Sequence, residues 1–313
     1  MLKSPHLSVL SIAKSSAGFI LFLVCSIAIY NKVISNEQWV NLKQVFVSDI
    51  NSIPTLGWVI LFLLMLSNLM IESIKWKIVV AENNPLKITT AFKSVMIGQA
   101  FAFFTPNRIG EYAGRTMFLS SGNKLLGLAQ MAWTSYAQLL ATICIGSVAL
   151  FINLDYYPWL QDFWVIGFKV VIPILFLLSL FLYFFQHPWQ GRLTFLNVIQ
   201  INKRIKLKLI GWSLCKYSIF IAQYFWVSYL LQIQIPFFTI FLSLAIMFLL
   251  LSILPTLSIT ELVIRGQLLI MILAPFYTNK NTIVSLSSII WGINFLLPAI
   301  MGTIFLLGFK LKK

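Results

Sequence analysis

The chain has 313 residues, 59% of them hydrophobic, 15% aromatic and only 10% charged, with a mean hydropathy of +0.91. Soluble domains carry about 25% charged residues, so soluble globular, disordered and fibrous classes are excluded together. The 23 Lys and Arg against eight Asp and Glu give a net charge of +15, which in so apolar a chain points to basic loops on the cytoplasmic side of a membrane rather than to nucleic acid.

Crossing the hydrocarbon core takes about 20 mostly apolar residues. In chain order the first such run is 14–33. It lacks a small-x-small cleavage motif, and Phe22-Leu23-Val24 before Cys25 is too bulky for a lipoprotein box, so it reads as a retained first helix. The loop 31–52 balances Lys32 and Lys43 against Glu37 and Asp49. Further spans are expected at 55–74, 125–152, 163–185, 208–232 and 283–309. Two other apolar stretches, 88–105 and 236–254, each run into a proline-containing polar break and resume as shorter helices near 107–121 and 259–275. That is the pattern of discontinuous or re-entrant segments. The stretch 189–208, apolar and basic by turns, reads as a membrane-surface helix attracted to anionic lipid.

Loop charge sets the orientation. The segment 153–162 holds Asp155 and Asp162 with no base, whereas 75–93 holds Lys75, Lys77, Lys87 and Lys93 against Glu82. The stretch 187–208 holds Arg192, Lys203, Arg204, Lys206 and Lys208 with no acid, and the tail ends in Lys310, Lys312 and Lys313. The positive-inside rule then places both termini in the cytoplasm. It also makes 88–121 enter and leave from the cytoplasmic side and 236–280 from the outside.

The two breaks share a pattern. The first contains Pro106, Glu111 and Arg115, the second Pro255, Glu261 and Arg265, with both the Glu and the Arg repeating 150 residues apart. Opposed copies at that spacing are the mark of an inverted repeat, with halves of about 1–155 and 156–313. A proline is tolerated in the first turn of a helix, and a helix start favours an anion such as phosphate. Arg108, Arg115 and Arg265 add cations able to grip phosphate oxygens. Glu111 and Glu261 lie one turn from their arginines and can act as exchangeable counter-ions or proton carriers. Two bland readings stand beside this one. Ser258-Ile259-Thr260-Glu261 matches a capping box, and each Glu–Arg pair can be a purely structural ion pair. Arg108 has Leu257 as its counterpart in the second copy.

Other polar residues in the apolar runs form a secondary set. Glu72 with Lys75, Trp76 and Lys77 reads best as an interfacial group with snorkelling lysines; the alternative puts Asn68 and Glu72, one turn apart, on a cavity. Lys216 either snorkels or lines a polar cavity, with Gln223 and Tyr224 further along its helix. Gln99, Gln130 and Gln138 read as interhelical hydrogen-bonding groups, Gln99 being also a cavity candidate. Cys25, Cys144 and Cys215, and His6 and His187, have no metal or disulfide spacing, so no metal and no cofactor is expected. Walker, dinucleotide and HExxH motifs are missing from the sequence.

The stretch Pro106-Asn107-Arg108-Ile109-Gly110-Glu111 through Arg115, preceded by Gly98-Gln99, resembles the signature of the flippase-like domain, the membrane region of lysylphosphatidylglycerol synthases. Asn68, Glu72, Lys75 and Trp76 resemble that family's first polar helix end. The resemblance covers essentially the whole chain. The second break departs from it, with Leu257, Ser258 and Thr260 where family members tend to have glycines. The resemblance implies translocation between leaflets of a lipid with a charged headgroup. It implies no aminoacyl transfer, since no room follows Lys313 for the soluble transferase domain of the synthases.

The sequence thus predicts an all-α polytopic membrane protein of six to eight spans, an inverted repeat with two broken hairpins, in the cytoplasmic (inner) membrane. The expected function is the flipping of an anionic phospholipid or a polyprenyl-phosphate-linked glycan, without enzymatic activity. The alternative is a non-transporting scaffold that holds a glycosyltransferase or lipid-modifying enzyme at its lipid substrate; nucleic acid is not an expected partner.

Overall fold

The computed structural model describes residues 37–105, 108–153, 156, 172–184, 201–254 and 258–307. The expected first span, His6, His187, Cys25, Asp155, Asp162, Pro106, Asn107 and Pro255 to Leu257 lie outside the described residues, as do most of 163–185 and of the surface helix expected at 189–208. Every regular element among the described residues is helical. The chain divides into two units between Asn51 and Ser52.

In the first unit, α1 (Glu37–Ser52) is a helix where a charge-balanced loop was expected. The apolar residues of 37–52 recur at helical spacing in the sequence; balanced loop charge says nothing about that period.

The second unit is a helical bundle. Pro54, which has no N–H, stands at the N-cap of α2 (Thr55–Val80). The chain continues through α3 (Ile88–Phe103), α4 (Ile109–Thr116), a single 3-10 turn at Ser121–Asn123 and α5 (Lys124–Asn153). After α6 (Ile172–Phe184) come α7 (Lys203–Leu230), α8 (Phe237–Ile253), α9 (Ser258–Leu273), α10 (Lys280–Trp291) and α11 (Leu297–Leu307). A π-helical turn, Gly292–Leu296, joins α10 to α11. Its cause is in the sequence: Pro298 has no N–H to give to the carbonyl four residues back, and the helix widens just before it.

Among the described residues three helices are long and apolar enough to cross a membrane: α2, α5 and the continuous Lys280–Leu306. α7 has the length, 28 residues, but opens on Lys203, Arg204, Lys206 and Lys208 and carries Lys216. Large apolar side chains are exposed on the outer faces, among them Phe62 and Leu63 of α2, Val148 and Phe151 of α5, Leu177 and Phe181 of α6, and Ile300 and Ile304 of α11. Charged side chains are buried inside, including Glu72, Lys75, Arg115, Lys206, Glu261 and Arg265. Water-soluble folds have the reverse distribution, and exposed apolar area on this scale marks a lipid-contacting surface.

Contacts at the two ends of α2 and α7 fix their directions. Gly57 lies against Leu230 and Glu72 against Lys216, so the two helices run antiparallel. α3 and α4 form a helix–break–helix hairpin whose ends return to the end of the bundle where α2 finishes: Asn123 Nδ2 donates to the Asn83 carbonyl at 3.0 Å. The hairpin is closed by glycine. A Cβ on Gly114 would stand 2.7 Å from Gly98 Cα, and one on Gly110 would stand 2.4 Å from the Phe101 carbonyl oxygen. α11 packs on the other side of α3 through Gly302, whose Cβ would meet the Met96 oxygen at 2.1 Å. α8 and α9 form the second such pair, and α8 lies on α5 at Gly146, beside Ala245 and Leu249.

Candidate functional site

The first break ends at Arg108, which caps α4 in the left-handed conformation with φ 58°. A non-glycine residue there carries about 1–2 kcal/mol of strain, and its side chain is held from several sides. Arg108 Nε donates to Glu111 Oε2 at 3.2 Å, its Nη2 donates to Gln99 Oε1, and the guanidinium lies 5.0 Å from the centre of the Phe295 ring. Thr105 bridges the break: its hydroxyl donates to the Phe101 carbonyl at 3.1 Å and accepts from the Gly110 amide at 2.8 Å. α4 starts three residues beyond Pro106, and the described part of α9 starts three beyond Pro255. With Arg108 as its N-cap, the first of these helices starts after Pro106 rather than opening on it, contrary to the expectation above, while Pro255 lies outside the described residues.

Arg115 is completely buried between two carboxylates. Its Nη1 donates to Glu72 Oε1 at 3.0 Å and its Nη2 to Glu111 Oε1. Glu72 also accepts from Lys216 at 2.7 Å and pairs with Lys75 at 3.5 Å. One carboxylate of α2 thus joins α4 and α7. The expectation of an interfacial Glu72 with snorkelling lysines is overturned for Glu72 and Lys75: both are buried, and Lys75 Nζ donates to Gln138 on α5 at 3.5 Å. Charges in a dry interior persist only when paired, and here the pairing comes from helices far apart in sequence.

The second break keeps its own pair. Arg265 donates to Glu261 and, at 3.1 Å, to the Tyr224 hydroxyl. Glu261 is occupied by its arginine rather than acting only as a helix cap. The Arg265 guanidinium lies 5.2 Å from the centre of Phe295, the ring that Arg108 also faces. Cations from the two breaks thus share one aromatic residue of the π turn, in cation–π geometry. Just before it, Asn294 Nδ2 donates to Gln223 Oε1 at 2.9 Å, and Asn68 Nδ2 reaches the same oxygen at 3.4 Å. These amides tie α2, α7 and the π turn together.

All of this surrounds a cavity of about 500 Å³. Of the residues singled out from sequence, Asn68, Glu72, Gln99, Arg108, Glu111, Lys216, Glu261 and Arg265 border it. Arg115 does not: it stands behind Glu72 and Glu111 and orients them. Lys75, expected at the interface, and Gln138 border the cavity as well, and sequence reasoning missed Phe248, Asn294 and Phe295. Asn294 had a signal, a single amide in an apolar run four residues before Pro298. Five cations (Lys75, Arg108, Arg115, Lys216, Arg265) meet three carboxylates (Glu72, Glu111, Glu261), leaving a formal surplus of two positive charges. The buried Arg265 Nε and Asn68 Oδ1 have no hydrogen-bond partner, which leaves capacity for a polar ligand. Among the described residues no group of three or more His, Cys, Asp and Glu is placed to hold a metal.

Lys206 also departs from expectation. Instead of lying on a membrane surface it is buried, with Nζ 2.6 Å from the Tyr183 carbonyl and 3.9 Å from the centre of the Trp133 ring. The Tyr183 hydroxyl returns a hydrogen bond to the Lys206 carbonyl at 3.0 Å, so the two residues bolt α6 to α7.

The chain matches no family model, no curated protein and no solved structure.

Proposed function

We propose that the protein moves an anionic lipid, a phospholipid or a polyprenyl-phosphate-linked glycan, between the leaflets of the cytoplasmic membrane, with the charged cavity as the headgroup site. The observation that carries this reading is the meeting of Arg108 and Arg265, one from each break, on Phe295 at the wall of a cavity with surplus positive charge. A phosphate entering there meets Arg108, Lys216 and Arg265, while Glu72, Glu111 and Glu261 release or recover their cations as the anion comes and goes. Arg115 positions the two carboxylates and does not touch the ligand.

An amphipathic ligand is favoured over a free anion by a second groove. About 730 Å³ in volume, it is lined by aromatic and aliphatic side chains of α7 and α8 such as Ile221, Phe225, Phe237 and Phe241. Tyr217 borders both this groove and the charged cavity, so hydrocarbon and headgroup sites adjoin.

In this reading the α3–α4 and α8–α9 pairs are re-entrant hairpins of an inverted repeat with six to eight spans. The bundle end that holds Lys77, Lys87, Lys124 and Lys203 is the cytoplasmic one, and both termini are cytoplasmic. The resemblance to flippase-like domains supports the same assignment.

The test is lipid movement in vesicles. Purified protein reconstituted with fluorescent phosphatidylglycerol should expose inner-leaflet label to a membrane-impermeant quencher. Arg108→Gln, at the most exposed of the cavity arginines, should slow this at least about tenfold, the loss of one charge-assisted contact, with unfolding temperature unchanged. Wild-type protein that moves no lipid, or an Arg108→Gln variant as fast as wild type, overturns the proposal. Protein that moves no lipid but retains a glycosyltransferase would instead be the scaffold.

A further inference from the structure

The cavity has both signs of charge, and their placement distinguishes between headgroups. In two of the four ion pairs whose partners both line it, the cation is the more exposed partner. The Arg108 side chain is 30% exposed and Glu111 13%; Lys216 is 22% exposed and Glu72 9%. The carboxylates lie behind their cations and are already occupied. Glu72 has Arg115, Lys216 and Lys75 within 3.5 Å, and Glu111 has both Arg108 and Arg115. The other two pairs are exceptions, with Glu261 at 12% against Arg265 at 5% and Glu72 at 9% against Lys75 at 1%.

The two most exposed charged groups among these pairs are Arg108 and Lys216, so a ligand entering the cavity meets guanidinium and ammonium groups first. For a phosphate this is attractive contact with little displacement, and the unpartnered Arg265 Nε offers a further donor. A headgroup ammonium faces like charge from Arg108 and Lys216, and it reaches a carboxylate only by displacing a buried cation whose loss leaves an uncompensated charge.

We infer that the cavity selects headgroups by sign, accepting a phosphate-bearing anionic headgroup and rejecting one that carries free ammonium groups. The inference rests on the reading of the cavity as a lipid-headgroup site, and it narrows that reading to anionic lipids with hydroxyl or sugar substituents. Neutral groups on the wall, Asn68, Gln99, Gln138 and Asn294, suit such substituents.

Binding tests it separately from transport. Short-chain phosphatidylglycerol and its lysyl ester share a phosphodiester and differ by two ammonium groups. Titrated into purified protein in a non-ionic detergent and followed by calorimetry, the anionic lipid should bind at least about tenfold more tightly. The Arg108→Gln/Lys216→Gln double variant, which exposes Glu111 and Glu72, should abolish or reverse the preference, and a folded protein is verified by its unchanged helical circular dichroism. Equal binding of the two lipids, or tighter binding of the lysyl ester, overturns sign selection and leaves the headgroup site standing; Glu261 would then be its anionic contact, and Glu261→Gln should weaken the lysyl ester alone. Binding of neither lipid removes the headgroup site and the inference with it.

Discussion

Glu72 gives the sharpest test of the buried network. Glu72→Gln keeps the shape and one hydrogen-bond acceptor for Arg115 but deletes the only carboxylate within reach of Lys216 and Lys75 among the ion pairs described. Arg115 is then left to share Glu111 with Arg108, and the cavity surplus rises from two positive charges to three. Removing one partner of a buried pair costs about 3–5 kcal/mol, because the remaining charge is stranded. Lys216→Gln is the matched control. Glu72 keeps Arg115 at 3.0 Å and Lys75 at 3.5 Å, and the lysine lost is part-exposed, so that change should cost about 1 kcal/mol or less. Reversible unfolding in mixed detergent micelles measures both on one scale. The two values should differ by at least about 2 kcal/mol, and the double variant should be more stable than Glu72→Gln alone because one of the two stranded lysines is gone. If Glu72→Gln is no more destabilising than Lys216→Gln, Glu72 does not organise the interior and the argument fails.

Two further outcomes follow from packing. Gly114→Ala places a methyl group 2.7 Å from the Gly98 backbone and should destabilise by about 1–3 kcal/mol. Gly266→Ala, in mid-helix on α9 with nothing within 4 Å, should gain up to about 1 kcal/mol; equal effects of the two in the same unfolding assay would refute the close approach of α3 and α4. Lys206→Met keeps the apolar stem but removes the Nζ bond to the Tyr183 carbonyl and the cation over Trp133. It should destabilise by about 1–3 kcal/mol and shift the emission of Trp133, and a variant indistinguishable from wild type in both would return Lys206 to the surface.

Much of the helix inventory was legible in the sequence because apolar run length is a local property. The expected 125–152 is Lys124–Asn153, the expected 55–74 is the start of Thr55–Val80, and both breaks fall within a few residues of their expected places. The Glu111–Arg115 and Glu261–Arg265 pairs were legible for the same reason, since i,i+4 neighbours share a helix face. What sits opposite them was not. Glu72 and Lys75 stand beside Trp76 and Lys77, a run with the composition of an interface, and their burial depends on α4 and α7 supplying Arg115 and Lys216 from 43 and 144 residues away. Lys206 misled in the same way: four neighbouring bases made it a topological charge, while its actual partners, Trp133 and Tyr183, lie on other helices. Arg115 was expected to grip the phosphate; its pairing with Glu111 follows from spacing, but its place behind the carboxylates, away from the cavity wall, is a matter of packing that spacing does not encode.

The glycine contacts of α3 bear on how such a protein can move. α4 meets it backbone to backbone at Gly98 and Gly114, and α11 does so through Gly302. Interfaces this close tolerate neither sliding shear nor rotation without collision. Close contacts of this kind bind helices α3, α4 and α11 into one rigid stave. The seams that can part are those made of long side chains, where Arg115 meets Glu72 on α2 and where Lys216 on α7 meets the same carboxylate. In the proposed function the charges around the cavity are thus also latches between its walls, and a ligand that competes for them would loosen the contacts that hold α2 to α4 and α7.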